Sequence, residues 1–295
     1  MSLKLIATDM DGTLLRDTDK AFDTERFNRI MDAMEEQGIH FVVASGNQLP
    51  KLHHYLEGYR ARPLTYIAEN GAYIADQEKD ILISGFSDKT IQQTLAVLDE
   101  FPAIGVIISG HQHAYMPTHR AEPIARLIRD HMDFLGADYD KQVDPLTFIS
   151  RWYPTVRPID DYADLRDETV VKFALQTRRR ETDQILAELI NRLPSNVVPV
   201  TSGFGAIDLI SRGVNKGSAL KWLGEQQNIK PEEMIAFGDA ANDAEMLSYV
   251  GTGIAMDNAS PALKASADLV IGNNNDGGVL DYLEEILGIS AKHLS

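Results

Sequence analysis

The chain has 295 residues, of which 44% are hydrophobic and 24% charged, a length that favours two domains and a balance typical of a globular protein with a substantial core. No apolar run reaches the roughly 18 residues of a membrane span, and a net charge of −16 argues against nucleic acid or an anionic membrane as the main partner. The absence of cysteine excludes disulfides, thiolate metal sites and cysteine nucleophiles, and it fits a reducing cytosol.

The N-terminal part alternates short strand-like and helix-like patterns. It begins MSLKLIATDMDG, with acidic residues by position 9, so we expect no secretory leader and a cytoplasmic location. Apolar residues at three- and four-residue spacing predict the first helix, and Gly38 marks its end. The predicted elements are a strand ending at Asp9, a helix over 24–37, a strand over 41–44 ending at Ser45, a strand over 64–68 and a hairpin over 72–83.

In the middle of the chain, from about 85 to 212, the connections between predicted elements are longer and the alternation of strands and helices is less regular. Its predicted helices cover 89–100, 121–131 and 181–193, and its predicted strands cover 104–109, 170–176, 197–201 and 206–210.

The C-terminal part returns to the alternation of the N-terminal part. Its predicted elements are helices over 216–227, 242–249 and 279–287, a helix beginning at Pro261, and strands over 234–237, 253–256 and 269–271. Strands and helices that alternate through short loops indicate a parallel sheet covered on both faces. We therefore predict an α/β core built from 1–84 and 213–295, with a second α/β domain over 85–212 inserted into it.

Two carboxylates follow the first predicted strand, in the segment DMDGTL. Asp9 and Asp11 lie two residues apart at the carboxyl end of that strand, where open parallel sheets bind their ligands, and Gly12 allows a tight turn. A plain acidic turn is the alternative. A calcium-binding loop is excluded, because that pattern needs glycine at Leu14 and glutamate at Lys20. The segment favours an active site.

A second acidic group follows another apolar strand, in the segment GDAANDAEML. Helix capping explains one acidic residue there, but not Asp239 and Asp243 together with Asp9 and Asp11. Four carboxylates at one sheet edge would repel each other unless a cation lay among them. Oxygen ligands without cysteine or a marked histidine cluster favour a hard cation, Mg²⁺ before Ca²⁺.

Two further segments offer groups that bind anions. Ser45 and Gly46 follow the second strand and open a helix, so they present a hydroxyl and free backbone N–H groups. Lys216 lies at the predicted start of a helix, where a cation is unfavourable unless it serves a ligand. Each signal is weak alone, since Ser-Gly turns and surface lysines are common.

The four segments in this order resemble the haloacid dehalogenase superfamily of aspartyl-phosphate hydrolases, over essentially the whole chain. The large insertion, together with Glu69-Asn70-Gly71 and Gly253-Ile254-Ala255-Met256, resembles the Cof-type branch of that superfamily. The phrases FVVASGNQ (41–48) and GDAANDAEML (238–247) are similar to those of bacterial sugar phosphatases of that branch.

The resemblance implies a Rossmann-like core and an inserted cap that selects the substrate. It implies that Asp9 is the nucleophile and that Asp11 protonates the leaving oxygen, so we predict a raised pKa for Asp11. The implied Mg²⁺ ligands are Asp9, the backbone carbonyl of Asp11 and Asp239, with Asp243 in support, and the implied phosphate ligands are Ser45, Gly46, Lys216 and Asn242, with Asn242 contacting phosphate or metal.

The expected function is therefore Mg²⁺-dependent hydrolysis of a small phosphorylated metabolite, a sugar phosphate first. A phosphomutase using the same aspartyl-phosphate and a non-catalytic phosphate- or metal-responsive protein are the alternatives. Many relatives carry arginine where this chain has Asn47, and often glycine where it has Asp257, a carboxylate that either faces solvent or disfavours an anionic substrate. His111 and His113 are interpreted as surface or substrate-facing residues rather than a zinc pair.

Overall fold

The structure is a computed structural model that describes residues 2–76, 79–135, 138–151, 153, 155–201 and 205–289. The chain divides into two compact units. The core unit comprises Met1–Leu82 and Asn215–Ser295, and the inserted unit comprises Ile83–Val214. Among the described residues, no helix is both long and apolar enough to cross a membrane.

Strands and helices alternate along most of the described chain. The strands are β1 (Leu5–Thr8), β2 (His40–Ala44), β3 (Leu64–Ala68), β4 (Tyr73–Asp76), β5 (Lys79–Ile83), β6 (Gly105–Gly110), β7 (Ala114–Pro117), β8 (Val156–Ile159), β9 (Val170–Gln176), β10 (Val197–Thr201), β11 (Ala206–Ser211), β12 (Met234–Gly238), β13 (Thr252–Met256) and β14 (Leu269–Ile271). The α-helices are α1 (Thr24–Glu36), α2 (Leu49–Tyr55), α3 (Asp88–Asp99), α4 (Ala121–Leu135), α5 (Pro145–Ser150), α6 (Thr182–Arg192), α7 (Lys216–Gln227), α8 (Ala244–Tyr249), α9 (Pro261–Ser266) and α10 (Gly278–Ile286).

The core unit is built on a sheet with the strand order β14-β13-β12-β1-β2-β3-β4-β5. The six strands from β14 to β3 are parallel, and β4 is antiparallel to β3. This order places β1 at the centre, with β2 on one side and β12 on the other. Strands and helices therefore form the α/β core that the sequence predicts; the predicted turn of the hairpin, Gln77-Glu78, lies outside the described residues.

Helices cover both faces of this sheet because successive strand residues point to opposite sides. Leu5 and Ala7 of β1 pack in one cluster with residues of α7, α8 and α9. On the opposite face, Phe27 of α1 lies edge-on against Phe41 of β2, with ring centroids 5.5 Å apart, and α10 packs there as well. Burial on both faces explains why β1 and its parallel neighbours are almost continuously apolar.

The inserted unit has a different sheet, with the order β10-β11-β9-β6-β7-β8. Its strands pair antiparallel except β7 and β8, which are parallel. Two apolar clusters lie on its two faces, one with α3 and α6 and one with α4 and α5. The sequence analysis did not predict β7, β8 or α5, since each is short and weakly periodic.

Candidate active site

Asp9 leaves β1 at its carboxyl end and is buried, with its backbone N–H donating to the carbonyl of Phe237 in β12 at 3.0 Å. Lys216, the first residue of α7, donates from Nζ to Asp9 Oδ1 at 2.7 Å and to Asp243 Oδ1 at 2.6 Å. The Lys216 side chain is 1% exposed and that of Asp243 0%. These three residues, which the sequence analysis predicted, thus form one buried cluster of charges, although Asp9 lies more than 200 positions before the other two.

Asp239 follows β12, the neighbour of β1, and joins this cluster. Its Oδ1 accepts a hydrogen bond from the Thr13 hydroxyl at 3.0 Å, and its backbone N–H donates to Asp243 Oδ2 at 3.0 Å. Gly12, with φ of +78°, passes so close that a Cβ atom there would overlap the Asp239 carboxylate. The glycine of the first motif is therefore needed both for its backbone conformation and for this close approach.

The carboxylates of Asp9, Asp239 and Asp243 fit a divalent cation. Each offers one oxygen, and the three oxygens lie within 4.8 Å of one another. Burial raises the pKa of Asp239 to about 7, and repulsion from Asp243 adds to this effect. Burial also raises the pKa of Asp9, although the ammonium of Lys216 opposes it. A hard cation among these oxygens would relieve both penalties, as oxygen-rich sites for such ions do.

Asp11 is held away from that cluster by groups of its own. Its Oδ2 accepts from Asn47 Nδ2 at 2.6 Å, and its Oδ1 lies 3.2 Å from Lys20 Nζ. Lys51, at the next turn of α2, donates to Asn47 Oδ1 at 2.9 Å. Asn47, although it carries no charge itself, therefore connects the Asp11 carboxylate to the ammonium group of Lys51.

The prediction of a raised pKa for Asp11 is wrong. Burial alone would raise the pKa of Asp11, but the ammonium groups of Lys51 and Lys20 and the hydrogen bond from Asn47 together lower it. The sequence gives no signal of this, since neither lysine belongs to a motif. The effect of Lys51 depends on the proximity of α2 to the loop after β1.

The remaining predicted residues lie beside the same sheet edge. The Ser45 hydroxyl accepts from the N–H of Asn47 at 3.1 Å, and Ser45 itself is buried at the end of β2. Asn242 donates from Nδ2 to Asn70 Oδ1 at 2.9 Å, while its own Oδ1 is buried and, among the described residues, has no hydrogen-bond partner. The open alternative for Asp257 is decided by its exposure: it faces solvent and pairs with Lys264 at 2.9 Å.

The inserted unit has charged groups that the sequence analysis missed. Glu168, nearly buried, accepts from the Tyr115 hydroxyl at 2.9 Å and lies 3.8 Å from His111 Nδ1 and 4.0 Å from His113 Nδ1. Lys172 and Asp208, on β9 and β11, form a buried ion pair at 3.6 Å. Glu168 is 55 residues or more from both histidines, so spacing along the chain could not reveal it.

Comparison with known proteins links this geometry to a family. A family model of haloacid dehalogenase-like hydrolases matches residues 6–283. The 5-amino-6-(5-phospho-D-ribitylamino)uracil phosphatase of Escherichia coli is 33% identical over 97% of this chain and 97% of its own length. A phosphoglycolate phosphatase of Natronomonas pharaonis is 27% identical over 95% of this chain and 96% of its own length.

Among solved structures, the protein SMU.1108c of Streptococcus mutans superposes with a TM-score of 0.82 and 31% identity, over 97% of this chain and 100% of the other. The likeness thus extends over both units.

Proposed function

The chain belongs to the haloacid dehalogenase-like hydrolases and is a phosphatase of small phosphorylated metabolites, and from that premise we propose that it is a Mg²⁺-dependent sugar phosphatase acting through a phosphorylated Asp9. The observation that carries this proposal is the meeting of Asp9, Lys216, Asp239 and Asp243 in one cluster, in which only Asp239 is half-buried and the other three are buried. The absence of cysteine favours the cytoplasm as its location.

Asp9 is the nucleophile. One of its carboxylate oxygens attacks phosphorus, a new O–P bond forms, and the bond from phosphorus to the substrate oxygen breaks. Lys216 keeps its charge during this step, because the carboxylates of Asp243 and Asp9 raise its pKa although burial alone would lower it. Its ammonium group balances the negative charge that Asp9 and the phosphoryl group bring together.

Asp11 is the general acid of the first step and the general base of the second. Asp11 takes up a proton from solvent as the substrate binds and donates it to the leaving oxygen. Asp11 then accepts a proton from the water that hydrolyses the phosphorylated Asp9, and free phosphate leaves. Asn47 and Lys20 hold the carboxylate in place before the substrate binds.

Ser45, Gly46 and Asn242 bind the phosphoryl oxygens from the side of β2 and β12. Asp9, Asp239 and the backbone carbonyl of Asp11 would hold Mg²⁺, with Asp243 in support; the Asp11 carboxylate itself is not part of the acidic cluster. When bound, Mg²⁺ would act as a Lewis acid that neutralises negative charge on the phosphoryl group.

The inserted unit, predicted over 85–212, selects the part of the substrate beyond the phosphate, in our proposal. Two relatives support a small polar substrate: one is named for a phosphorylated ribitylamino compound and the other for phosphoglycolate. A sugar or sugar-alcohol phosphate matches the first of these. A phosphomutase is not favoured, since both relatives are named phosphatases.

A phosphate-release assay tests the proposal. Purified protein is incubated with hexose phosphates, pentitol phosphates, phosphoglycolate and nucleotides, with Mg²⁺ or with a chelator followed by Mg²⁺. We expect release of inorganic phosphate that chelation abolishes and Mg²⁺ restores, with a sugar or sugar-alcohol phosphate giving the highest kcat/KM. Activity that survives chelation, a preference for nucleotides, or an isomerised sugar phosphate without free phosphate would each contradict it.

A further inference from the structure

Three consecutive residues after β3 adopt the left-handed backbone conformation. Glu69 has φ of +52°, Asn70 of +57° and Gly71 of +101°. This region is unfavourable for glutamate, tolerated by asparagine and free for glycine. Glu69 and Asn70 are both buried. A conformation of this kind persists only where the surrounding structure enforces it, and such turns concentrate at functional sites.

The backbone of this turn contacts two other segments of the site. The N–H groups of Glu69 and Asn70 donate to the carbonyls of Asn47 and Ser45, both at 3.0 Å. On the other side, a Cβ atom on Gly71 would overlap the carbonyl oxygen of Asn215, the residue that caps α7 directly before Lys216. The turn therefore fixes the loop after β2 and the start of α7 relative to each other.

The Asn70 side chain reaches a third segment. Its Oδ1 accepts the hydrogen bond from Asn242 Nδ2 at 2.9 Å. The same Oδ1 would lie 3.1 Å from a Cβ atom on Gly46, so the Asn70 amide packs directly against the Ser45-Gly46 backbone. One amide thus lies between two of the groups to which we assign phosphate binding.

We propose that Asn70 is a positioning residue for the phosphoryl group: its amide orients Asn242 and supports the Gly46 backbone while its left-handed backbone holds the turn. This rests on the proposed function of the site. Asn242 donates one of its two Nδ2 protons to Asn70, and this fixes the direction of the second Nδ2 proton, which can donate to a phosphoryl oxygen; its Oδ1 can only accept, and it is buried and without a partner among the described residues. Without Asn70 the Asn242 side chain would rotate freely, and ligand binding would have to restrict it.

Asn70→Gly tests the role of the side-chain amide separately from that of the backbone conformation, because glycine adopts the same φ without strain. We expect Asn70→Gly to melt close to wild type, to bind inorganic phosphate about tenfold more weakly, as loss of one ordered hydrogen bond predicts, and to lose kcat/KM by at least that factor. Phosphate affinity is measured by competitive inhibition and, independently of turnover, by the shift in melting temperature on adding phosphate.

Asn228 supplies a matched control. It is an exposed asparagine with φ of +53° at the C-terminal end of α7, so Asn228→Gly makes the same change in the same backbone conformation away from the site. Asn228→Gly should match wild type in phosphate affinity and kcat/KM. A purely structural role for Asn70 would change the melting temperature of Asn70→Gly while leaving its phosphate affinity at the wild-type value.

Asn70→Asp keeps the test decisive if the glycine variant does not fold. Aspartate tolerates the left-handed region and retains an acceptor for Asn242, but it puts a negative charge beside Gly46. Phosphate affinity should fall more than tenfold. Phosphate affinity within twofold of wild type in either folded variant overturns the proposal. An inactive wild type would instead contradict the proposed function, and the phosphate titration would still test Asn70.

Discussion

The two units of the chain both bury charged side chains, but in different places. In the core unit, Asp9, Asp239 and Lys216 lie in loops or at a helix start beside the carboxyl ends of β1 and β12. In the inserted unit, Lys172 and Asp208 lie within the neighbouring strands β9 and β11, in diagonal positions. Parallel strands bring all their carboxyl ends to one edge, whereas antiparallel strands do not.

This difference separates two kinds of task. An edge where several loops meet can hold three or four polar groups around one reacting atom, and in the core unit these groups come from segments far apart in sequence. A charged pair between neighbouring strands is held at a fixed register, which suits it to stabilising the fold. We propose that the chemical step takes place in the core unit, and variants of matched residues in the two units can test this.

Asp9→Asn should have the largest effect. Removing the proposed nucleophile should lower kcat by at least about a thousandfold, as removal of other enzymes' nucleophiles does, while the melting temperature stays near wild type because asparagine keeps the shape. Asp208→Asn replaces a buried carboxylate of the inserted unit in the same way. It should retain turnover of a small aryl phosphate, measured by phosphate release. An equal loss of kcat in both variants would contradict the assignment of the chemical step to the core unit.

Lys216→Met should destabilise the protein more than Lys172→Met. Lys216 donates to two buried carboxylates at 2.7 and 2.6 Å, whereas Lys172 lies 3.6 Å from Asp208, so we expect loss of Lys216 to leave more uncompensated buried charge. We expect a loss of roughly 3–5 kcal/mol in the free energy of unfolding for Lys216→Met and less for Lys172→Met, both from urea titrations. A larger loss at Lys172 would show that the inserted unit depends more on its ion pair than the core does.

The smallest effect concerns an ion pair that joins the two sequence halves of the core. Arg26 of α1 donates to both carboxylate oxygens of Glu284 in α10, at 3.1 and 2.6 Å. Glu284→Gln should reduce the free energy of unfolding by about 1 kcal/mol. Glu100, which pairs with Arg192 in the inserted unit, is far more exposed, so Glu100→Gln should cost less.

The effect at Glu284 should depend on pH. The hydrogen bond from Arg26 lowers the pKa of Glu284 below its ordinary value of 4.5, so the folded state favours the ionised carboxylate. The stabilisation is therefore complete above that ordinary value and is lost as the pH falls through the lower folded-state pKa. The difference between wild type and Glu284→Gln should shrink between neutral pH and pH 3. A constant difference would mean that the charge contributes nothing.

The sequence predicts the core elements well because their signals are local. The spacing of apolar residues gives α1 within one residue, and β3 and α7 at the bounds the structure has. The order of the four motifs also predicts that Asp9, Lys216 and Asp239 lie close together, since the carboxyl ends of parallel strands share one edge.

What the sequence does not give are contacts between side chains of unrelated segments. The lysines that lower the pKa of Asp11, and Glu168 beside the two histidines, belong to no motif or regular spacing. The left-handed conformation of Glu69 is also not local, since glutamate itself disfavours it. Each of these depends on packing, which a pattern along the chain does not record.

The central position of β1 has a consequence for synthesis on the ribosome. Leu5 pairs with His40 on one side and with Met234 on the other. At about 5–20 residues per second, the second partner emerges on the order of ten seconds or more after the first. Until then one edge of β1 is an unpaired, apolar template for aggregation. The nascent chain therefore needs protection at that edge, and truncation before β12 should yield an insoluble product.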